Sequence, residues 1–318
     1  MSLIVRFIVL LGALLAASPA LALCSVASGA LTFTPRSTYD VRESRVDGVA
    51  GSAGFTCSGS LISIISSNRA RATATSTNGF TLRSGGASIP YRLSADAAGN
   101  YALNGGATID YFDPALLSLL GILNAGSFNP TINAAVTAAP NVPPGTYTDI
   151  VTIRWDYAIC HGIGLGGLCI LSETGTASAA ITVTLVVSAD CRIAAPNLSF
   201  GAAPLVSGFA TVRQAVAVDC SLGTAYSVAF SSGGSGLSRP WRAMRNSAGK
   251  PLYYNLYRSD GTTIWDETSP LAASTLGVAG TGATTPLQLY GYVARIDPSQ
   301  AAVGAGSYTD TVSVVVTF

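Results

Sequence analysis

Two stretches of this chain are near copies of each other. Gly145-Thr146-Tyr147-Thr148-Asp149-Ile150-Val151-Thr152-Ile153 returns as Gly306-Ser307-Tyr308-Thr309-Asp310-Thr311-Val312-Ser313-Val314, at an offset of 161 residues. Each is a turn followed by the apolar–polar alternation of a half-buried strand. The match extends upstream. Cys24 stands nine residues before Phe33, and Cys191 stands nine before Phe200. Cys24 meets Cys57 after 33 residues, and Cys191 meets Cys220 after 29. Arg83-Ser84-Gly85-Gly86 precedes Ile89-Pro90-Tyr91-Arg92-Leu93, much as the run from Arg245 to Gly249 precedes Leu252-Tyr253-Tyr254-Asn255-Leu256. A repeat of this length restricts the chain to two versions of one β-domain, residues 23–188 and 189–318, joined near Ser188-Ala189-Asp190.

Strands are predicted over Arg71–Thr75, Thr148–Tyr157, Ala180–Val187, Val212–Val218, Tyr226–Phe230 and Thr311–Phe318, with turn residues between them. The one sustained helix signal lies around Ala115–Leu123. The expected fold is all-β: two antiparallel, immunoglobulin-like sandwiches.

Residues 1–22 read as a secretory signal. Arg6 precedes an apolar run, Phe7–Ala17, and Ala20-Leu21-Ala22 is an A-x-A cleavage site. The run is shorter than the roughly 20 residues of a spanning helix. Leu23, where a lipobox needs a small residue, argues against lipidation of Cys24. Six cysteines in an exported chain imply disulfides. Fifteen connectivities are open to six cysteines. The repeat favours the sequential set, Cys24–Cys57, Cys160–Cys169 and Cys191–Cys220, with the first bridge of each copy tying its first strand to its second. Charged residues are only 10% of the chain. Without Arg6 the basic and acidic residues balance at 16 each, so there is no electrostatic case for nucleic acid or anionic lipid.

The second copy carries a family resemblance. Its marks are Cys191-Arg192-Ile193, Leu198-Ser199-Phe200-Gly201, Val218-Asp219-Cys220-Ser221, Leu252 through Tyr257, and the Gly306–Val312 turn with a closing Val-Thr-Phe. They resemble the spore coat protein U domain, the pilin domain of archaic (Csu-type) chaperone–usher pili, and the two-domain arrangement is similar to the tip adhesins of those pili. The resemblance implies a C-terminal sandwich that lacks one strand. A periplasmic pilus chaperone lends a strand, and at the outer-membrane usher the adjacent pilin subunit replaces it with its own donor strand. The exposed edge to be covered is Val312, Val314, Val316 and Phe318. A donor strand needs on the order of 10 residues ahead of the first domain. Cleavage after Ala22 leaves one residue before Cys24, so the expected place is the distal tip of a fibre on the cell surface.

Two segments of the first copy are too apolar for ordinary loops. Phe112–Leu123 contains Leu116, Leu117, Leu119, Leu120, Ile122 and Leu123, which encircle a helix rather than line one face. The second segment, Cys160–Cys169 with Ile170 and Leu171, carries Ile163, Leu165 and Leu168 at an expected hairpin tip. A disulfide there would restrict the unfolded loop by roughly 2–3 kcal/mol in the chain-entropy model. Either segment could pack inward, as a buried helix and a staple. The resemblance instead implies finger loops that bind hydrophobic or abiotic surfaces and start biofilms. Leu61–Ile65 is a third candidate, with a buried strand as its other reading. Two further functions stay open: a structural coat or fibre subunit whose loops touch only protein, and a carbohydrate lectin.

No residue set points to catalysis, a cofactor or a metal. Gly162-Ile163-Gly164-Leu165-Gly166-Gly167 matches G-x-G-x-x-G, but Cys169 and strand sequence follow where a nucleotide site needs a helix and an acidic residue. Cys160, His161 and Cys169 are poorly spaced for zinc, and His161 reads as a loop histidine. Asp149 and Asp310 occupy equivalent repeat positions, which suits a turn or strand-end role.

Overall fold

The repeated turn builds the same local structure twice. In the computed structural model, Tyr147 donates its hydroxyl to Pro143 O at 2.7 Å, and Tyr308 donates to Gly304 O at 2.7 Å. Each is a tyrosine corner, a phenol bonded back to the chain a few residues upstream. Asp149 accepts from Tyr91 Oη at 2.7 Å, Ser76 Oγ at 2.6 Å and Asn78 N at 3.1 Å. Asp310 accepts from Tyr254 Oη at 2.6 Å and Gly234 N at 2.7 Å. Both carboxylates cap a neighbouring loop and hold an equivalent tyrosine. Burial and the aspartate raise both tyrosine pKa values well above the ordinary phenol range.

The structure describes residues 23–58, 68–120, 127–163, 169–237, 239–283 and 287–318, apart from the side chains of Ile163 and Ile170. The first half runs β1 (Cys24–Val26), β2 (Gly29–Thr32), β3 (Arg36–Ser37), α1 (Thr38–Arg42), β4 (Val49–Ser52) and β5 (Phe55–Ser58). It continues with β6 (Arg69–Ser76), β7 (Thr81–Ser84), β8 (Ala87–Ser94), β9 (Thr108–Asp110), α2 (Pro114–Leu120), β10 (Ser127–Phe128) and β11 (Thr131–Val136). Two long strands close it, β12 (Gly145–Ile163) and β13 (Cys169–Ser188). The second half has β14 (Cys191–Ala194), β15 (Val212–Cys220), β16 (Ser227–Phe230), β17 (Arg242–Arg245), β18 (Pro251–Arg258), β19 (Leu271–Ala272), β20 (Gln288–Ile296) and β21 (Val314–Thr317).

Among the described residues, the first half forms a small sheet, β1-β5-β10, and a large one built around β13, β12, β7, β8 and β11. The second half forms a five-stranded sheet, β14-β15-β20-β18-β17, facing a three-stranded one, β19-β16-β21. Each half has its own apolar core. The fold is the expected two-domain β architecture, with one departure from antiparallel pairing. Strand β13 runs parallel to β2 and β3 while pairing antiparallel with β12. Three disulfides join Cys24–Cys57, Cys160–Cys169 and Cys191–Cys220. In the second half the bridge links the first two strands. In the first it links β1 to β5, because β2–β4 are inserted between the partners.

The halves meet around α1. A capping box starts this helix: Ser37 Oγ accepts from Asp40 N, and the Asp40 carboxylate accepts from Ser37 N. The helix presents Thr38, Tyr39 and Arg42 to the second half. Thr38 Oγ1 lies 2.6 Å from Ser221 Oγ, Tyr39 Oη donates to Asp219 O at 3.1 Å, and Arg42 donates to Gly282 O at 2.6 Å. The Arg192 guanidinium sits 4.5 Å above the Tyr39 ring and pairs with Glu43. Only Ala189 and Asp190 separate β13 from β14, so the joint is short on every side.

Candidate functional site

Two places depart from an ordinary closed sandwich. The first is a cleft of about 360 Å³ in the second half. One lip is the irregular segment 195–200, and the other is the run from Tyr308 to Val314. Its floor is core: Val216, Phe230, Met244, Tyr254, Leu256 and Tyr292. The repeat register shows what is missing from it. Leu31 and Phe33 of the first half correspond to Leu198 and Phe200. The first pair is fully buried; the second pair is only half-buried. Tyr147, Val151, Ile153 and Trp155 correspond to Tyr308, Val312, Val314 and Val316. Again the first set is fully buried and the second half-buried.

The difference is strand β13. It lies between β2 and β12 and turns Ile181, Val183, Leu185 and Val187 into the core, all buried. Among the described residues, no strand occupies that slot in the second half, and the cleft lies there. Val314 and Val316 stand opposite Phe230 and Val228 of β16, so their side chains face the core. Val312 and Val314 line the cleft, whereas Val316 and the 58% exposed Phe318 do not. The strand predicted over Thr311–Phe318 pairs only from Val314 to Thr317. Among the described residues no strand pairs with its outer edge, and on the inner side contact continues one residue further, where Ser231 N donates to Ser313 O at 2.9 Å. The lip at 195–200 escaped the sequence reading, although Leu31-Thr32-Phe33 and Leu198-Ser199-Phe200 already align in the repeat.

The second place is the end of the first half remote from the joint. Strand β12 starts beside the joint, where Gly145 faces Val187, and its 19 residues span roughly 60 Å. Three chain segments gather at its far end. Ala158 faces Arg69 at the start of β6, Tyr111 N donates to Ala70 O just before α2, and β12 and β13 pair out to Ile163 and Cys169. Packed aromatic rings support this end: Phe55 stacks on Trp155 at 4.8 Å, and Phe112 on Phe128 at 4.9 Å.

The predicted contact residues divide at this pole. Leu116 packs into the first core and Leu117 is buried as well, so neither side chain is presented to solvent in this chain. Helix α2 does bury one side after all, because Leu116, Leu117 and Leu120 fall on one face while Leu119 points away and is 58% exposed. Leu120 is half-buried against the same core. Leu171 is 54% exposed. Ile122, Leu123, Leu165 and Leu168 lie outside the described residues, as do the side chains of Ile163 and Ile170 and the segment Leu61–Ile65. His161 is not a loop residue. It lies on β12 at a break in the register between Cys160 and Gly162, and this bulge turns the ring inward. There Cys24 Sγ, His161 Nε2 and a Glu173 carboxylate oxygen lie within 4.8 Å of one another. The sulfur is engaged in a disulfide, which leaves a poor set for a metal ion.

The family model described as Spore Coat Protein U domain matches residues 10–154 and again 177–315. The chain belongs to the spore coat protein U domain family. The two matches follow the internal repeat and leave out residues 155–176, the outer part of the disulfide-stapled hairpin. No curated protein matches the chain. Among solved structures, it is similar to the chaperone–tip adhesion subunit pre-assembly complex of the archaic chaperone–usher Csu pili of Acinetobacter baumannii. The identity is 23%, the TM-score is 0.63, and the alignment covers 93% of this chain and 100% of that one. The CupB6 tip adhesin of Pseudomonas aeruginosa aligns over 93% of this chain and 94% of its own at 10% identity and a TM-score of 0.31. The first similarity shows that this spore coat protein U chain shares its fold with a pilus tip subunit.

Proposed function

We propose that this chain is the tip adhesin subunit of a chaperone–usher pilus, exported through the periplasm to the cell surface. Residues 189–318 accept a donor strand, first from a periplasmic chaperone and then from the adjacent pilin at the usher. Residues 23–188 meet the surface through apolar side chains at the remote pole. One observation carries the reading: the slot that β13 fills in the first half is an open, apolar-floored cleft in the second. Unpaired backbone and half-buried valines along such an edge are costly in water and are relieved when a strand is added. The chaperone-bound state of the Acinetobacter tip subunit, which has the same fold, supports this choice of partner.

Periplasmic co-expression with an archaic pilus chaperone tests the acceptor role. The expected product is a one-to-one complex that Val314→Arg abolishes, since a charge at the cleft wall cannot be buried without a partner. Isolation of the chain as a stable monomer that ignores the chaperone would end the proposal. A structural fibre subunit is the second reading, favoured by the burial of Leu116 and Leu117. Deleting residues 162–168 separates the two. Pili that assemble but no longer hold cells to plastic support adhesion, whereas lost assembly supports the structural role.

A further inference from the structure

The base of the stapled hairpin holds the first described residue of the chain. Leu23 N donates to Glu173 Oε2 at 2.9 Å, and Cys24 N donates to the same oxygen at 3.1 Å. The Leu23 carbonyl is held too, accepting from Ser58 N at 2.7 Å. Glu173 lies on β13 opposite Ile159, at the root of the Cys160–Cys169 tip. His161 Nε2 stands 3.7 Å from the same oxygen and 3.8 Å from Cys24 Sγ, with its side chain almost wholly buried. Burial first, and then the nearby Glu173 carboxylate, raise the Tyr157 phenol above its ordinary range. Gly175, opposite Tyr157, makes room for this phenol, since a Cβ there would lie 2.9 Å from the Tyr157 oxygen. Glu173, His161 and Tyr157 all fall within residues 155–176, outside both family matches. A three-quarters-buried carboxylate thus has two amide N–H donors and, among the described residues, no basic side chain but His161 within ion-pair distance.

We propose that Glu173 is a receptor for the α-ammonium that signal-peptide cleavage creates at Leu23. The inference rests on the export reading given above. An endopeptidase of the signal-peptidase class hydrolyses the Ala22–Leu23 bond. Water supplies the oxygen of the new Ala22 carboxylate, and the Leu23 nitrogen becomes an ammonium. That nitrogen already lies at hydrogen-bond distance from Glu173, so cleavage converts a neutral contact into a charge-assisted one without moving the chain. The ammonium then ties β1, and through Cys24–Cys57 also β5, to both strands of the hairpin. Processing therefore strengthens a tie at the base of the hairpin that the unprocessed chain makes only through neutral amides.

The chain has a single lysine, Lys250, which is exposed. Mature protein purified from the periplasm would then carry two amines, and one serves as the reference for the other. Intact mass first establishes whether the chain begins at Leu23. Acylation with an N-hydroxysuccinimide ester at neutral pH, read by peptide mass spectrometry, then gives the rate at each amine. The expected result is that Leu23 reacts at least tenfold more slowly, relative to Lys250, in the folded protein than in the denatured one. Glu173→Gln should restore the denatured-state rate. A second variant, with one alanine inserted between Ala22 and Leu23, keeps every side chain and moves the ammonium one residue outward. It too should react at the unprotected rate. A chain that begins at Leu23 but shows equal protection in wild type and both variants overturns the receptor alone. A chain that keeps residues 1–22 overturns the export reading and the receptor together.

Discussion

At the residue scale, one helix shows how far pattern reading reaches. Leu116 and Leu119 belong to the same apolar run, yet one is buried and the other is 58% exposed. Leu116→Ala should destabilise the first half by roughly 2–5 kcal/mol, because the cavity adds to the lost transfer energy. Leu119→Asp should leave the thermal midpoint nearly unchanged and reduce adsorption to polystyrene; an unaltered adsorption isotherm removes Leu119 from the contact surface. The run signalled an apolar cluster but not its division. Seven helical residues have one face toward the core, and that face is set by where β9 delivers the chain. Tyr39 makes a second prediction. Burial, reinforced by the Asp219 charge, raises its pKa to about 12. A raised folded-state value means a contribution fully present below pH about 10, the unfolded phenol's value, and lost as pH rises through about 12. Wild type should lose stability across that window through this group, by less than the full shift implies because solvent screens the hydroxyl. Tyr39→Phe should lose correspondingly less in alkaline titration followed by circular dichroism.

At the scale of elements, the repeat made most of the fold legible. It placed the strands and the equivalent roles of Asp149 and Asp310, because turn chemistry and period-two alternation are local properties. What it could not show was the parallel pairing of β13 with β2, a contact between residues about 150 apart in sequence. That pairing marks the proposed acceptor slot, because β13 covers in the first half what the cleft leaves open in the second. It also gives the chemistry of the missing strand. An incoming segment should alternate large apolar residues as Ile181, Val183, Leu185 and Val187 do, run antiparallel to β21, and lie along residues 195–200. A synthetic peptide of residues 179–188 should therefore bind the full chain, and replacing its four inward residues with serine should abolish binding in a fluorescence titration. Equal binding of both peptides would show that the cleft has no strand register.

At the scale of the molecule, the cleft and the apolar pole belong to different halves, with the joint around α1 between them. Beside the covalent link through Ala189-Asp190, Thr38, Tyr39, Arg42 and Arg192 hold the two halves together. Arg192→Ala removes both the stack on Tyr39 and the pair with Glu43, contacts worth about 1 kcal/mol at a partly exposed site. The variant should be cut faster than wild type between β13 and β14 in limited proteolysis; equal rates would mean that the joint does not depend on this residue. None of these contacts was legible in the sequence, since each side chain is ordinary in its own segment and gains meaning only from the half it faces. The central claim is that the second sandwich awaits a strand. Hydrogen exchange in residues 195–200 and 314–317 tests it most directly, comparing the chain with a version carrying a second copy of residues 179–188 on a short flexible linker after Phe318. Exchange should slow on the order of a hundredfold in the extended chain as those amides become paired and covered. Identical exchange in the two proteins would contradict the account.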